Sequence, residues 1–257
     1  KIVMANDDLT KVNQNVEDYK EGVKKQAEEL VAYRLPEKIL ELNELLKTKH
    51  FSYSSLGSVK CDLKIPVPDP ADYEEEFNAE QPKKKRKVDN NGGADEISGS
   101  KVYLLPSGTV PCNAYIVEII EIVKPHIRQL IDDANMLRVW ISLLIPKIED
   151  GNNFGVSIQE DSLNEVRNVE SEAGAYYDQI TRYFLTRGKL ITKVAKFPQI
   201  QDYRRTVEEI DEKQFLHLKL FLNEIRNHYA TLHDLITKNF EKIRRPKPDN
   251  SGSTLMC

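Results

Sequence analysis

The sequence predicts an all-α protein, an antiparallel bundle of four long helices. Three observations predict it. Charged residues make up 30% of the 257 positions and Gly only 11 of them, a composition that favours long solvated helices over a β-rich core. Apolar residues recur at intervals of three and four over four extended stretches. Two of the three connections between those stretches are short, which makes consecutive helices antiparallel neighbours.

The first stretch covers about Asp7 to Lys49, with Val12, Val16, Tyr19, Val23, Ala27, Leu30, Leu35, Ile39, Leu42 and Leu46 on one face. Pro36 is expected to kink or interrupt it, because proline lacks the N–H and its ring clashes with the preceding turn. The second spans about Asn113 to Pro146, striped by Ile116, Ile120, Val123, Ile127, Leu130, Ala134, Leu137 and Leu144. Asn113 is its expected N-cap, Pro125 marks a bend, and Trp140 belongs to core or interface.

The third stretch is expected to begin near Ser162 and to carry Val166, Val169, Ala173, Tyr176, Ile180, Tyr183 and Ile191. It stops before Pro198, since a residue preceding proline avoids helical geometry. The fourth runs from about Asp202 to Arg244, with Val207, Ile210, Leu218, Phe221, Ile225, Leu232, Leu235, Asn239 and Ile243 in register. Such helices are each about 30 to 40 residues long, well beyond the usual mean of about 12.

The resulting division is residues 1–6 as a disordered N-terminus and 7–50 as the first bundle helix. Residues 51–111 form a disordered loop, 112–245 the remaining helices with a connection at 149–161, and 246–257 a flexible tail. The 51–111 tract is rich in Pro, Gly, Asn and charge, and structureless stretches of that length are disordered or functional. Near its end, Tyr103-Leu104-Leu105 could dock onto the bundle.

Several function classes drop away on composition. The net charge of −4 argues against nucleic acid as the main partner, because phosphate neutralisation calls for a basic surplus. Cys61, Cys112 and Cys257 stand in no metal-like spacing, and an odd count points to free thiols in a reducing compartment. No apolar run reaches the roughly 20 residues of a membrane span. Lys1-Ile2-Val3-Met4 leads straight into polar sequence, so no secretory signal is expected.

No nucleophile elbow, phosphate-binding glycine loop, dinucleotide fingerprint or zinc-protease motif occurs, and no catalytic residue, metal or cofactor is expected. The histidines at 217, 228 and 233 are out of phase on one helix and do not pair as ligands. Carboxylates interleave with Lys and Arg at helical spacing, as on solvated faces.

Three segments stand out. Pro82-Lys83-Lys84-Lys85-Arg86-Lys87-Val88 places five consecutive cations on the long loop, an extended ligand for the acidic grooves of a nuclear import receptor. A solvated charge run or a nucleic-acid patch is the alternative. Gly151-Asn152-Asn153-Phe154-Gly155-Val156-Ser157-Ile158-Gln159 joins the second and third helices. Its glycines and asparagines tolerate positive φ, and it reads either as an ordinary connection or as a docking surface. The terminal Ser253-Thr254-Leu255-Met256-Cys257 ends a polar tail in three apolar residues, either a frayed end or an attachment peptide.

The run IPKIEDGNNFGVSIQE closely resembles the activation loop of the eleven-S (REG) proteasome activators. The likeness continues through Val169–Ala173, Tyr203–Lys213, Leu222–Asn227, Thr231–Asp234, Glu241–Ile243 and Pro66–Pro70. The basic signal and the Gly-Asn-Asn-Phe-Gly form are similar to the gamma type. The tail departs from that type in having no aromatic residue near its end.

That resemblance implies a homo-oligomer, a heptameric ring that caps the alpha ring of the proteasome core particle. The tails at 253–257 would bind the core and the 151–159 loop would open its gate, without ATP, for peptides and disordered proteins. Seven tails would multiply weak individual affinities. A nuclear location with some cytoplasmic protein is expected. The competing reading is a nuclear helical scaffold or adapter that acts independently of the protease.

Overall fold

The computed structural model describes residues 6–67, 108–147 and 154–246. Among these residues the structure is helical, without strands. Helix α1 (Asn6–Glu29) passes through a π turn (Leu30–Arg34) into α2 (Leu35–Leu46). A short α3 (Leu56–Val59) follows two 3-10 turns, and α4 (Ala114–Leu144), α5 (Phe154–Lys196) and α6 (Gln201–Arg244) complete the bundle.

Side-chain pairs fix the directions. Along the first rod Arg34 meets Asp133 and Glu41 faces His126, while Glu28 meets Arg244 and Asn43 meets Arg226, so the rod runs against both α4 and α6. Along α5 Gln159 meets Leu144 and Glu170 meets Arg138, while Tyr176 meets His228 and Tyr183 meets Asp211, so α5 runs against both as well. The antiparallel four-helix bundle is therefore present. Burial follows the apolar stripes: Leu30, Leu35, Leu42, Ile116, Ile127, Leu137, Val166, Ala173, Leu218, Ile225 and Leu232 have lost essentially all exposure. Their transfer from water supplies the main favourable term.

Pro36 does not interrupt the first rod. The chain widens into the π turn just before it, where Leu35 N–H bonds to Leu30 O, five residues back. The wider turn removes the demand for the N–H that proline lacks and gives its ring room. Asn113 caps α4 as expected, its side-chain oxygen accepting from Ile116 N–H at 3.2 Å, and the helix runs on through Pro125.

Three expectations need correction. The third helix begins at Phe154, not near Ser162, because Gly155, Gln159, Ser162 and Val166 already share a buried face at helical spacing. Residues 51–67 and 108–111 are ordered parts of the domain and not disordered loop. Phe51, Val59, Leu63 and Ile65 are buried there, the last two in a small satellite core with Val194 and Val207 that closes one end of the bundle. Finally, Val12, Val16 and Tyr19 do not enter the core: they stay 45–63% exposed, and the α1 stripe turns inward only at Val23.

Candidate functional site

The two poles of the bundle differ. At one, α4 ends, α5 begins and α6 ends, so the root of the 148–153 connection lies beside the root of the 247–257 tail. Gln159 organises this pole. Its side chain is fully buried, and Nε2 donates to Leu144 O at 3.0 Å and to Ile243 O at 2.7 Å. Both carbonyls belong to the last turns of their helices, where the helix itself offers no acceptor-satisfying N–H. One amide thus ties the C-terminal ends of α4 and α6 to the first turns of α5.

Gly155 makes the second tie. A Cβ at this position would run into the backbone carbonyl of Pro246, so only glycine lets α5 lie against the exit of α6 this closely. Around it, Arg244 pairs with Glu28 at 3.2 Å and lies over the Phe240 ring, which in turn packs on Trp140. The tail therefore leaves from a root held by α1, α4 and α5.

Of the residues singled out in the connection, Gly155 and Gln159 are buried, Val156 and Ile158 half-buried and Ser157 exposed. Phe154 is the first residue of α5, and Gly151, Asn152 and Asn153 lie outside the described residues. So do Ser253–Cys257 and Pro82–Val88. Sequence reasoning missed the tail root at Ile243–Pro246 as a partner of the connection. The available signal was Gln159 itself, a long amide at a position in phase with Ser162 and Val166.

The opposite pole holds a buried polar hub. Asp211 accepts from Tyr183 OH at 2.9 Å and Arg187 Nε at 2.8 Å on one oxygen, and from Asn113 Nδ2 at 2.8 Å on the other. Asn113 Nδ2 also donates to Val59 O and Arg187 to Pro111 O, so the hub grips the chain on both sides of the 68–107 stretch. Midway along the bundle, Asp133 gathers Arg34, Gln129 and Tyr229 in the same manner. Burial together with these carboxylates pushes the Tyr183 and Tyr229 hydroxyls far above their ordinary range.

These hubs are spent on structural partners, and no group of three His, Cys, Asp or Glu among the described residues could hold a metal. No described helix is long and apolar enough to cross a membrane. The working features of the molecule are thus a polarised helical rod and two chain segments rooted side by side.

Comparison with known proteins decides the family. The family "Proteasome activator PA28, C-terminal" matches residues 109–253, and "Proteasome activator PA28, N-terminal" matches residues 10–70. This chain belongs to the proteasome activator PA28 family. Within it, the chain is 47% identical over 249 residues to proteasome activator complex subunit 3 of Homo sapiens, covering 95% of this chain and 97% of that one. The Gallus gallus subunit 3 is 47% identical over 242 residues, with 93% and 94% covered.

The PA28 relationship extends to solved structures. The crystal structure of the 11S subunit of the Plasmodium falciparum proteasome, PA28, superposes with a TM-score of 0.74 at 32% identity, covering 96% of this chain and all of that one. A chain from an archaeal 20S proteasome in complex with a mutated P26 activator reaches 0.60 at 13% identity, covering 94% and 97%, which shows the shared fold alone. PA28 proteins are regulatory and not catalytic.

Proposed function

We propose that the chain is the subunit of a heptameric ring that caps the proteasome core particle and activates it without ATP. In this reading the tail at Ser253–Cys257 attaches the ring to the alpha ring of the core, and the segment around Gly151–Gln159 opens the gate. The observation that carries it, beyond family membership, is the convergence of both segments' roots on one pole through Gln159 and Gly155. A cap needs its anchor and its effector on the same face.

Ring assembly is supported by the first turns of α1. Leu9, Val12, Val16 and Tyr19 present an apolar stripe, each 45% exposed or more, on turns of α1 that the other described residues leave uncovered. A contiguous exposed apolar surface of this kind marks a contact with another chain. The basic run at Pro82–Val88 supports delivery to the nucleus by an import receptor, and nuclear residence with some cytoplasmic protein is part of the proposal.

The deciding experiment is hydrolysis of fluorogenic peptides by purified core particles with and without the ring. Stimulation is expected; equal rates would overturn the reading. Removing Thr254–Cys257 should abolish association, whereas altering Asn152 or Phe154 should leave association intact and lose stimulation.

A further inference from the structure

We propose that Gly155 and Gln159 are positioning residues that weld the root of the C-terminal tail to the root of the gate-facing segment, so that anchoring one sets the height of the other. The inference rests on the roles proposed above for the two segments and adds the device that relates them.

The geometry has three parts. Gly155 meets Pro246 backbone to backbone, a contact with no side-chain latitude, since any Cβ would collide with the Pro246 carbonyl. One turn on, both Nε2 hydrogens of Gln159 are committed, one to Leu144 O and one to Ile243 O. Ser162 Oγ donates to Ile158 O at 2.7 Å, holding the same turn of α5 from below. Three helix ends are therefore locked within two turns of α5.

Magnitude decides why such a lock matters. A flexible link of n residues lets its ends wander by about 5–6 Å × √n. Four free residues at the tail root would give roughly 10–12 Å of slack, several times a hydrogen-bond length. An anchor hinged so loosely would hold the ring on its target yet could not place another segment. The joint removes that slack at Pro246.

The test uses assembled rings of the full chain with purified core particles. Three variants probe the joint: Gly155→Ala, Gln159→Leu, and a Gly-Ser-Gly-Ser insertion between Pro246 and Lys247. Affinity for the core and peptide hydrolysis at saturating ring are measured separately. Each variant should form rings by mass photometry and bind within about three-fold of the parent, yet lose about five-fold or more of saturating stimulation. Combining Gly155→Ala with the insertion should cost no more than the insertion alone, because the first frees the joint at Pro246 and the second adds slack just beyond it, so both loosen the same link between bundle and tail.

Unchanged saturating stimulation in the three variants would overturn the proposal. So would losses that multiply in the combined variant, since each change would then act locally, or a loss confined to affinity. The insertion leaves the folded bundle untouched and keeps the test decisive where Gly155→Ala does not assemble. A parent ring that fails to stimulate at all would instead remove the reading of the two segments on which the proposal stands.

Discussion

Arg187 Nε donates to Asp211 Oδ1 at 2.8 Å with the two side chains only 5% and 2% exposed. The pair stands at the pole opposite the tail, and Asn113, Tyr183 and Pro111 complete it. An ion pair this deep gives up much of its Coulombic gain to desolvation, so its net contribution is small while it is whole. Breaking it is another matter. Arg187→Ala leaves Asp211 charged and dry, and the expected loss is about 3–5 kcal/mol in urea unfolding. A loss below about 1 kcal/mol, within the range of exposed pairs, would show that water reaches the site.

Alkaline pH should unfold the bundle earlier than its carboxylates and amines suggest. Burial, with Glu172 and Glu224 nearby, pushes the Tyr176 hydroxyl up to about 12 from 10.0, and burial beside Asp211 and Asp133 raises Tyr183 and Tyr229 further still. The unfolded chain releases these protons near pH 10 while the folded chain keeps them, so stability is full below about pH 10 and falls as pH rises. Each tyrosine adds a slope of about 1.4 kcal/mol per pH unit. Tyr229→Phe should flatten the slope by one such increment, read from urea melts across the alkaline range.

On the acid side His126 has the opposite consequence. Burial, reinforced by Lys38 and opposed by Glu41, holds its imidazole below the ordinary 6.5. The unfolded chain takes up the proton first, so stability is full above about pH 6.5 and declines as pH falls toward the folded value, then levels off. His126→Gln should make this limb shallower. An unchanged pH profile in that variant would mean that the ring is already solvated.

Trp140 is fully buried and packs on Phe240 with ring centroids 5.9 Å apart. Trp140→Ala should cost about 3–5 kcal/mol through lost burial and the cavity left behind. Because Phe240 also carries Arg244, the variant should show faster amide exchange at the end of α6 than at its start.

On the proposed ring assembly, charge placed on the exposed stripe of α1 should disassemble the ring and leave the subunit folded. Val16→Lys with Tyr19→Lys is the suitable pair, both side chains being exposed in the single chain. Mass photometry should show subunits in place of rings, with helical circular dichroism retained. Intact rings would place the contact elsewhere.

Much of this fold is legible in the sequence because its helices are long and their apolar spacing is regular. Ile116 to Leu137 and Val166 to Tyr183 announce both period and face. Polar members of the same stripes are harder to see. Asp133 lies between Leu130 and Leu137, and Asp211 one turn after Val207, yet an apolar template reads past them; their partners come from other helices and no local pattern supplies those. The start of α5 was hidden for a different reason. Gly155 signals a turn by its conformational freedom, whereas here it serves close approach to Pro246, a contact some ninety residues distant. Phe51 to Ile65 were obscured by the polar tract that follows them. Asn152, the terminal Leu255-Met256-Cys257 and Lys83–Lys87 are legible as sequence alone, since they lie outside the described residues.

Arg204, in the first turn of α6, donates to Ile65 O at 2.7 Å, and Pro246 follows the last turn of the same helix. At 1.5 Å per residue these points stand about 60 Å apart. The stretch between Val67 and Gly108 thus departs and returns a full bundle length away from the tail's exit. On the proposed reading, an import signal carried between these two roots is tethered to the end of the bundle that faces away from the protease. Carrier and protease could then hold the same ring at once, and release from one would not have to wait for release from the other.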